Sequence, residues 1–219
     1  MRRLKVVLTL DDLVDDHPKW RECFNLLVEK DLPHTVGVVT EKYLGRETDW
    51  GFIKQYMGNG LTEFASHSRT HSRLPYKDCD SEVGGSKQDL VENLGVRVSS
   101  WIMPFGRLDP IILDKLQQYG YRVFRAGSRK TKPFRVGDLL KTQHSAEVGT
   151  GTSRRWSDVE VLNRNFDYFR NNTGFYLLMA HPEYVDWSRG GYVDLHLDYI
   201  LSQSNVEFMT LGGWRNIVE

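Results

Sequence analysis

The sequence predicts a single-domain α/β fold, a distorted (β/α) barrel of about seven strands spanning residues 1–219. Three observations lead there. Short apolar runs alternate along the chain with segments whose apolar residues recur at helical spacing, the pattern of a parallel sheet covered by helices. No linker rich in Pro, Gly and Ser, no repeat and no low-complexity tract divides the 219 residues, and that length can bury a sizeable core. The residues best suited to chemistry fall just after the predicted strands, where such folds gather their active sites.

Leu4 to Leu10 is a short apolar run closed by two acids, a buried strand. Pro18 lies near the start of a helix that carries Trp20, Phe24, Leu27 and Val28 on one face. Thr35 to Thr40 is β-branched and short, hence a strand. Trp50 to Met57 reads as a short helix closed by Gly58-Asn59-Gly60, and Leu61 to Ala65 as a strand running into a His-rich loop. Ser81 to Leu94 is a helix stopped by Gly95. Val96 to Met103 is a strand ending in Pro104-Phe105-Gly106. Asp109-Pro110 opens a helix that runs to Tyr119 and closes at Gly120, before a strand at Tyr121 to Phe124. Asp158 to Arg170 and Val193 to Leu201 are helices, and Phe175 to Ala180 and Val206 to Thr210 are strands. Between Arg125 and Ser157, punctuated by Gly127, Gly137, Gly149 and Gly151, the expectation is irregular strands and loops.

Lys plus Arg and Asp plus Glu both number 29, so the formal net charge is zero. That balance argues against nucleic-acid binding as the main activity, since phosphate-binding domains carry a basic excess. Cys23 and Cys79 are too few for a disulfide framework and form no Cys-x-x-Cys motif. The apolar run after Arg2-Arg3 is cut at Asp11, too short for a signal peptide, and no run approaches the ~18 residues of a spanning helix. A cytoplasmic protein without a membrane span is expected.

Four features carry chemistry. Asp11 and Asp12 follow the first strand, and adjacent strand residues point to opposite faces, so both cannot enter the core of a regular strand. A helix cap is their plainer explanation. His67 and His71, in His67-Ser68-Arg69-Thr70-His71, are spaced to converge on one ion across a helical turn, although two surface histidines would look the same. Pro104-Phe105-Gly106 reads as a turn after a strand, and His181 stands at the exit of the apolar run Leu177 to Ala180. Together, one carboxylate and two imidazoles make the mixed three-ligand set of a catalytic metal site with an open position. The second carboxylate and His181 then complete the base and acid that metal-assisted hydrolysis needs.

In these motifs the chain resembles the polysaccharide deacetylases, carbohydrate esterase family four. Thr9-Leu10-Asp11-Asp12-Leu13 is similar to the family's Thr-Phe-Asp-Asp-Gly, and His67 to His71 match its His-Ser/Thr-x-x-His. Pro104-Phe105-Gly106 follows as in Arg-x-Pro-Tyr/Phe-Gly, and Leu178 to His181 and Val206 to Leu211 resemble its closing segments. The resemblance implies Asp12, His67 and His71 as metal ligands, Asp11 as general base and His181 as general acid. Three departures stand out. Ile102 occupies the place of the third motif's Arg, Leu13 replaces a Gly, and no fourth motif is evident. Arg107 and Arg125 are the candidates to replace the missing cation.

The expected function is hydrolysis of an acyl group, acetyl above all, from an amino sugar or saccharide precursor. The expected cofactor is one divalent metal, zinc by default with cobalt or nickel compatible. The Phe105 backbone N–H would hold the oxyanion, and Trp101, Phe105 and Trp187 would wall a sugar ring, although buried aromatics are commoner. Two alternatives stand beside this reading: a degenerate relative that binds metal or saccharide without turnover, and a hydrolase of a formyl or cyclic amide.

Overall fold

The computed structural model describes residues 3–41, 47–73, 75–107, 109–127, 134–149 and 158–217. Gly151, and the parts of the irregular stretch at 128–133 and 150–157, lie outside the described residues. The elements run in the order β1 (Leu4–Leu13), α1 (Pro18–Glu29), β2 (His34–Val38), α2 (Trp50–Lys54), β3 (Thr62–Ser66), α3 (Ser86–Leu94) and β4 (Ser100–Ile102). Then come α4 (Pro110–Gln118), β5 (Val123–Ala126), β6 (Phe134–Val136), β7 (Leu139–Gln143), β8 (Ala146–Val148) and α5 (Val159–Asn172). The chain closes with β9 (Phe175–Ala180), α6 (Tyr192–Leu201), β10 (Val206–Met209) and α7 (Leu211–Ile217).

The helices start where local chemistry lets them. Asp49, Asp109 and Asp158 each accept a backbone N–H of the following helix, and Pro18 and Pro110 occupy first-turn positions that need no donor. Among the described residues no helix is long and apolar enough to cross a membrane.

The strands form one sheet in the order β6-β7-β5-β4-β3-β2-β1-β9-β8, with β10 added to the first part of β1. Every pairing is parallel except that of β6 with β7. β7, second from one end of the path, runs on into β8 at the other end, because only His144 and Ser145 separate the two. One bent segment thus pairs with β5 on one side and β9 on the other, which curls the sheet into a distorted barrel.

Alternation divides the core. Leu4, Val6, Leu8 and Leu10 of β1 pack outward with Phe24, Leu27 and Leu197 of the helices. Val7 faces inward with Leu140, Leu177, Met209 and Trp214. Helix α7 closes the lower end of this interior. Its Leu211 N–H donates to Thr35 Oγ1 at 2.8 Å and its Gly212 N–H to Glu63 Oε2 at 2.9 Å. A Cβ on Gly212 would lie 2.6 Å from Glu63 Oε1, so glycine permits that approach. The other end, where the strands finish, is left to polar residues.

Candidate active site

Strand β1 does not stop before its acids; it runs on to Leu13. Asp12 adopts φ 70°, and the register against β2 shifts between Leu10 and Leu13. This break in alternation brings both Asp11 and Asp12 to the lining of one cavity of about 530 Å³.

His67 leaves β3 directly, and the path to His71 is not a helical turn. Ser68 and His71 have φ 66° and 54°. Short-range bonds fix this strained loop. The Ser68 hydroxyl accepts the His71 N–H at 3.0 Å. Buried Glu82 accepts the N–H groups of Arg69 and Thr70, each at 3.0 Å, and the Thr70 hydroxyl. Glu82 escaped sequence analysis; it lies in a π-helical turn, Asp80–Gly85, whose wider spacing puts it under the loop.

His67 Nδ1–H donates to the Ile102 carbonyl at 2.8 Å, so its Nε2 carries a lone pair. That Nε2 lies 3.1 Å from Asp12 Oδ1, and His71 Nε2 lies 3.1 Å from the same oxygen. A lone pair facing a carboxylate oxygen at that distance repels it unless positive charge sits between them. Burial pushes the Asp12 carboxyl up, but the adjoining His67 and His71 imidazoles outweigh it and hold the group far below the usual carboxylate range. Burial alone would lower His67, and Asp12 and Asp11 raise it instead. The two-nitrogen, one-oxygen set fits a divalent ion with positions left open.

The cation missing at Ile102 comes from the next strand. Ile102 and Arg125 are register partners on β4 and β5. The Arg125 guanidinium meets Asp11 Oδ2, with the two side chains 2% and 4% exposed. Arg107 is exposed. An isolated charge at this depth costs several kcal/mol, so each group requires the other.

His181 follows β9, and its N–H donates to the Val148 carbonyl at 3.1 Å. Its Nε2 lies 3.6 Å from Asp12 Oδ2, and its Nδ1 is buried without a partner among the described residues. Phe105, 47% exposed with φ 54°, sets its ring 4.6 Å from that of His71 at the cavity edge. The turn that presents it is locked to the end of β5, where the Gly127 N–H donates to the Gly106 carbonyl at 2.8 Å. The tryptophans expected beside a sugar ring lie elsewhere. Trp101 points outward from β4 into the core and packs edge-on against Tyr121. Trp187 is buried and donates its indole N–H to the Pro182 carbonyl at 3.1 Å. Neither lines the cavity.

Residues 1–124 match the family model described as polysaccharide deacetylase. The chain belongs to the polysaccharide deacetylase family. A polysaccharide deacetylase candidate from Mycobacterium smegmatis has a similar structure, with a TM-score of 0.77 at 16% identity, covering 99% of this chain and 90% of that one. A family 4 acetyl xylan esterase from Clostridium thermocellum, in complex with a cobalt ion, gives 0.64 at 16% identity, covering 97% and 91%. A family pseudoenzyme from Bacillus anthracis gives 0.68 at 11% identity, covering 96% and 64%. At these identities the likenesses establish the fold. No curated protein matches in sequence. The deacetylase match takes in Asp11, Asp12, His67 and His71 and ends one residue before Arg125.

Proposed function

We propose that the chain is a metal-dependent hydrolase that removes an N-acetyl group from an amino sugar or saccharide precursor. The observation that carries this reading is the buried Arg125–Asp11 pair beside the three-ligand cluster. A carboxylate held on one oxygen at the cavity wall, beside that cluster, is placed to act as a base.

Asp12, His67 and His71 would hold the ion, zinc by default, with cobalt or nickel compatible with the donor set. Bound there, a divalent ion supplies a Lewis acid for the acyl carbonyl and eases deprotonation of water. Arg125 engages Oδ2 of Asp11 and leaves Oδ1, buried and without a partner among the described residues, to take the proton of the attacking water. The water oxygen bonds to the acyl carbon, the C–N bond breaks, and His181 gives a proton to the departing amine. Acetate and a free amino sugar leave. The Phe105 N–H is the oxyanion donor of this scheme, and its exposed ring flanks the substrate.

The degenerate reading draws on His181 Nδ1, which has no partner among the described residues, and on the pseudoenzyme of the same fold. One assay separates the readings. Zinc-loaded protein is incubated with a panel of N-acetylated sugars and the released acid is identified. Acetate release that disappears in Asp11→Asn is the expected result. Silence across the panel sinks the deacetylase reading, and release of formate from a formyl amide redirects it.

A further inference from the structure

The cavity holds a second imidazole–carboxylate pair that the proposed chemistry does not use. His144 Nε2 lies 3.3 Å from Glu147 Oε2, with side chains 8% and 16% exposed, and both residues line the cavity. Their placement takes a specific piece of backbone. In a regular strand, residues three apart face opposite sides of the sheet. On β7, Leu140 faces the interior, and Thr142 is the register partner of Arg125, so His144 continues the inward series. On β8, Ala146 and Val148 pack outward, so Glu147, the partner of inward-facing Met179, turns inward as well. The step occurs at Ser145, where the chain leaves β5 for β9. Its N–H donates to the Leu177 carbonyl at 2.7 Å, and its hydroxyl accepts the Leu177 N–H at 3.1 Å.

The pair stands on the wall between β5 and β9, whereas the metal-ligand cluster comes from β1 and the loop after β3. A ligand between the two walls meets both. Of the pair, Glu147 is the more accessible, and a carboxylate only accepts hydrogen bonds. Its Oε2 already faces His144, so the complement of the carboxylate is a further hydrogen-bond donor, and a sugar hydroxyl is one. We propose that Glu147, positioned by His144, is a substrate-recognition carboxylate that accepts hydrogen bonds from sugar hydroxyls beside the scissile amide. The inference rests on the hydrolase reading and narrows it. A formyl or cyclic amide without hydroxyls gives this carboxylate nothing to bind.

Binding is measured first, in a zinc-loaded Asp11→Asn background, by calorimetry with triacetylchitotriose as the probe. Adding Glu147→Ala raises Kd by about 10- to 100-fold, the range for a lost hydrogen bond to a charged group. Glu147→Gln gives a smaller rise, His144→Phe a partial one, and zinc content stays at that of the background. In the otherwise native enzyme, Glu147→Ala raises KM and changes kcat little on the same sugar, with no change on hydroxyl-free acetanilide. Kd within twofold of the background overturns the proposal. So does an equal fall in kcat on both substrates, which would make Glu147 act through the chemistry. Binding that depends on Glu147 in a protein with no turnover supports recognition and removes the hydrolase reading. Acetanilide turnover without any sugar binding does the reverse.

Discussion

The wall of the cavity built by β1 and the loop after β3 carries its chemistry on neighbouring residues, Asp11 with Asp12 and His67 with His71. The wall built by β5, β7 and β8 assembles Arg125, His144 and Glu147 from separate positions. The first wall reaches its geometry through local backbone conformation, with positive φ at Asp12, Ser68 and His71. The second uses strand register and one break between β7 and β8. A strained motif tolerates no relocation, because its spacing is its geometry. On a lateral wall, adjacent strands bring register partners side by side, as Arg125 and Ile102 are.

The largest expected effect tests the first wall. His71→Ala or Asp12→Asn leaves two ligands where three converge, and metal content after dialysis should fall from about one per chain toward zero. Acetate release should fall below detection with it. An ion retained at parental stoichiometry would show that the local motif is not the binding site.

Next come the groups that move protons. Asp11→Asn and His181→Ala should each keep the metal and lose on the order of 10²-fold or more in turnover. Turnover over pH should be bell-shaped, its limbs belonging to the coupled site rather than to single residues. Parental rates in both variants would remove the assigned roles.

Arg125→Met tests whether the second wall is interchangeable. It strands buried Asp11 without its cation, so a loss of about 3–5 kcal/mol in stability is expected along with slower turnover. Adding Ile102→Arg returns a guanidinium from the register partner and should recover part of both. A double variant no better than Arg125→Met would mean that β4 and β5 are not equivalent routes to Asp11.

The same difference explains what the sequence reveals. Strands at β1, β2 and β9 are legible because their apolar runs face a core on both sides. The acids read as the end of β1, but the positive φ of Asp12 carries pairing on to Leu13. The run Val96 to Met103 is apolar enough to read as strand throughout, although only Ser100–Ile102 joins the ladder. Arg125 lies inside β5, beyond the predicted end at Phe124, since a charge in a buried strand makes sense only beside Asp11, 114 residues away. Lys141, Thr142 and Gln143 hid β7 in the same way, being polar yet buried. Trp101 reads from sequence as part of an aromatic wall, and buried aromatics are the commoner case. Alternation settles its place, for inward Ile102 leaves its neighbour outside.

The smallest effect concerns histidines outside both walls. His34 Nδ1–H donates to the Leu32 carbonyl at 2.9 Å while its Nε2 accepts from Thr62 at 3.1 Å. His196 Nδ1–H donates to Asn163 at 2.7 Å and its Nε2 accepts from the Tyr176 hydroxyl at 3.0 Å. Each ring is buried as the neutral form, and a proton on Nε2 would turn an acceptor into a second donor. Burial lowers His34 to about 4 and His196 to about 3, against an ordinary 6.5. Below pH 6.5 the unfolded chain therefore binds protons that the folded chain refuses. The stability these rings contribute is complete above that pH and is lost as pH falls toward 4 and 3. Between pH 7 and 5 the loss is about 2 kcal/mol for each ring. Urea unfolding of the metal-free protein at pH 7 and pH 5 should show it. His34→Gln and His196→Gln should each lower stability at pH 7 yet narrow the gap between the two pH values by about that amount. A gap as wide as the parent's in both variants would place the acid sensitivity in the site instead, and erase the contrast between core imidazoles held neutral and those that face Asp12.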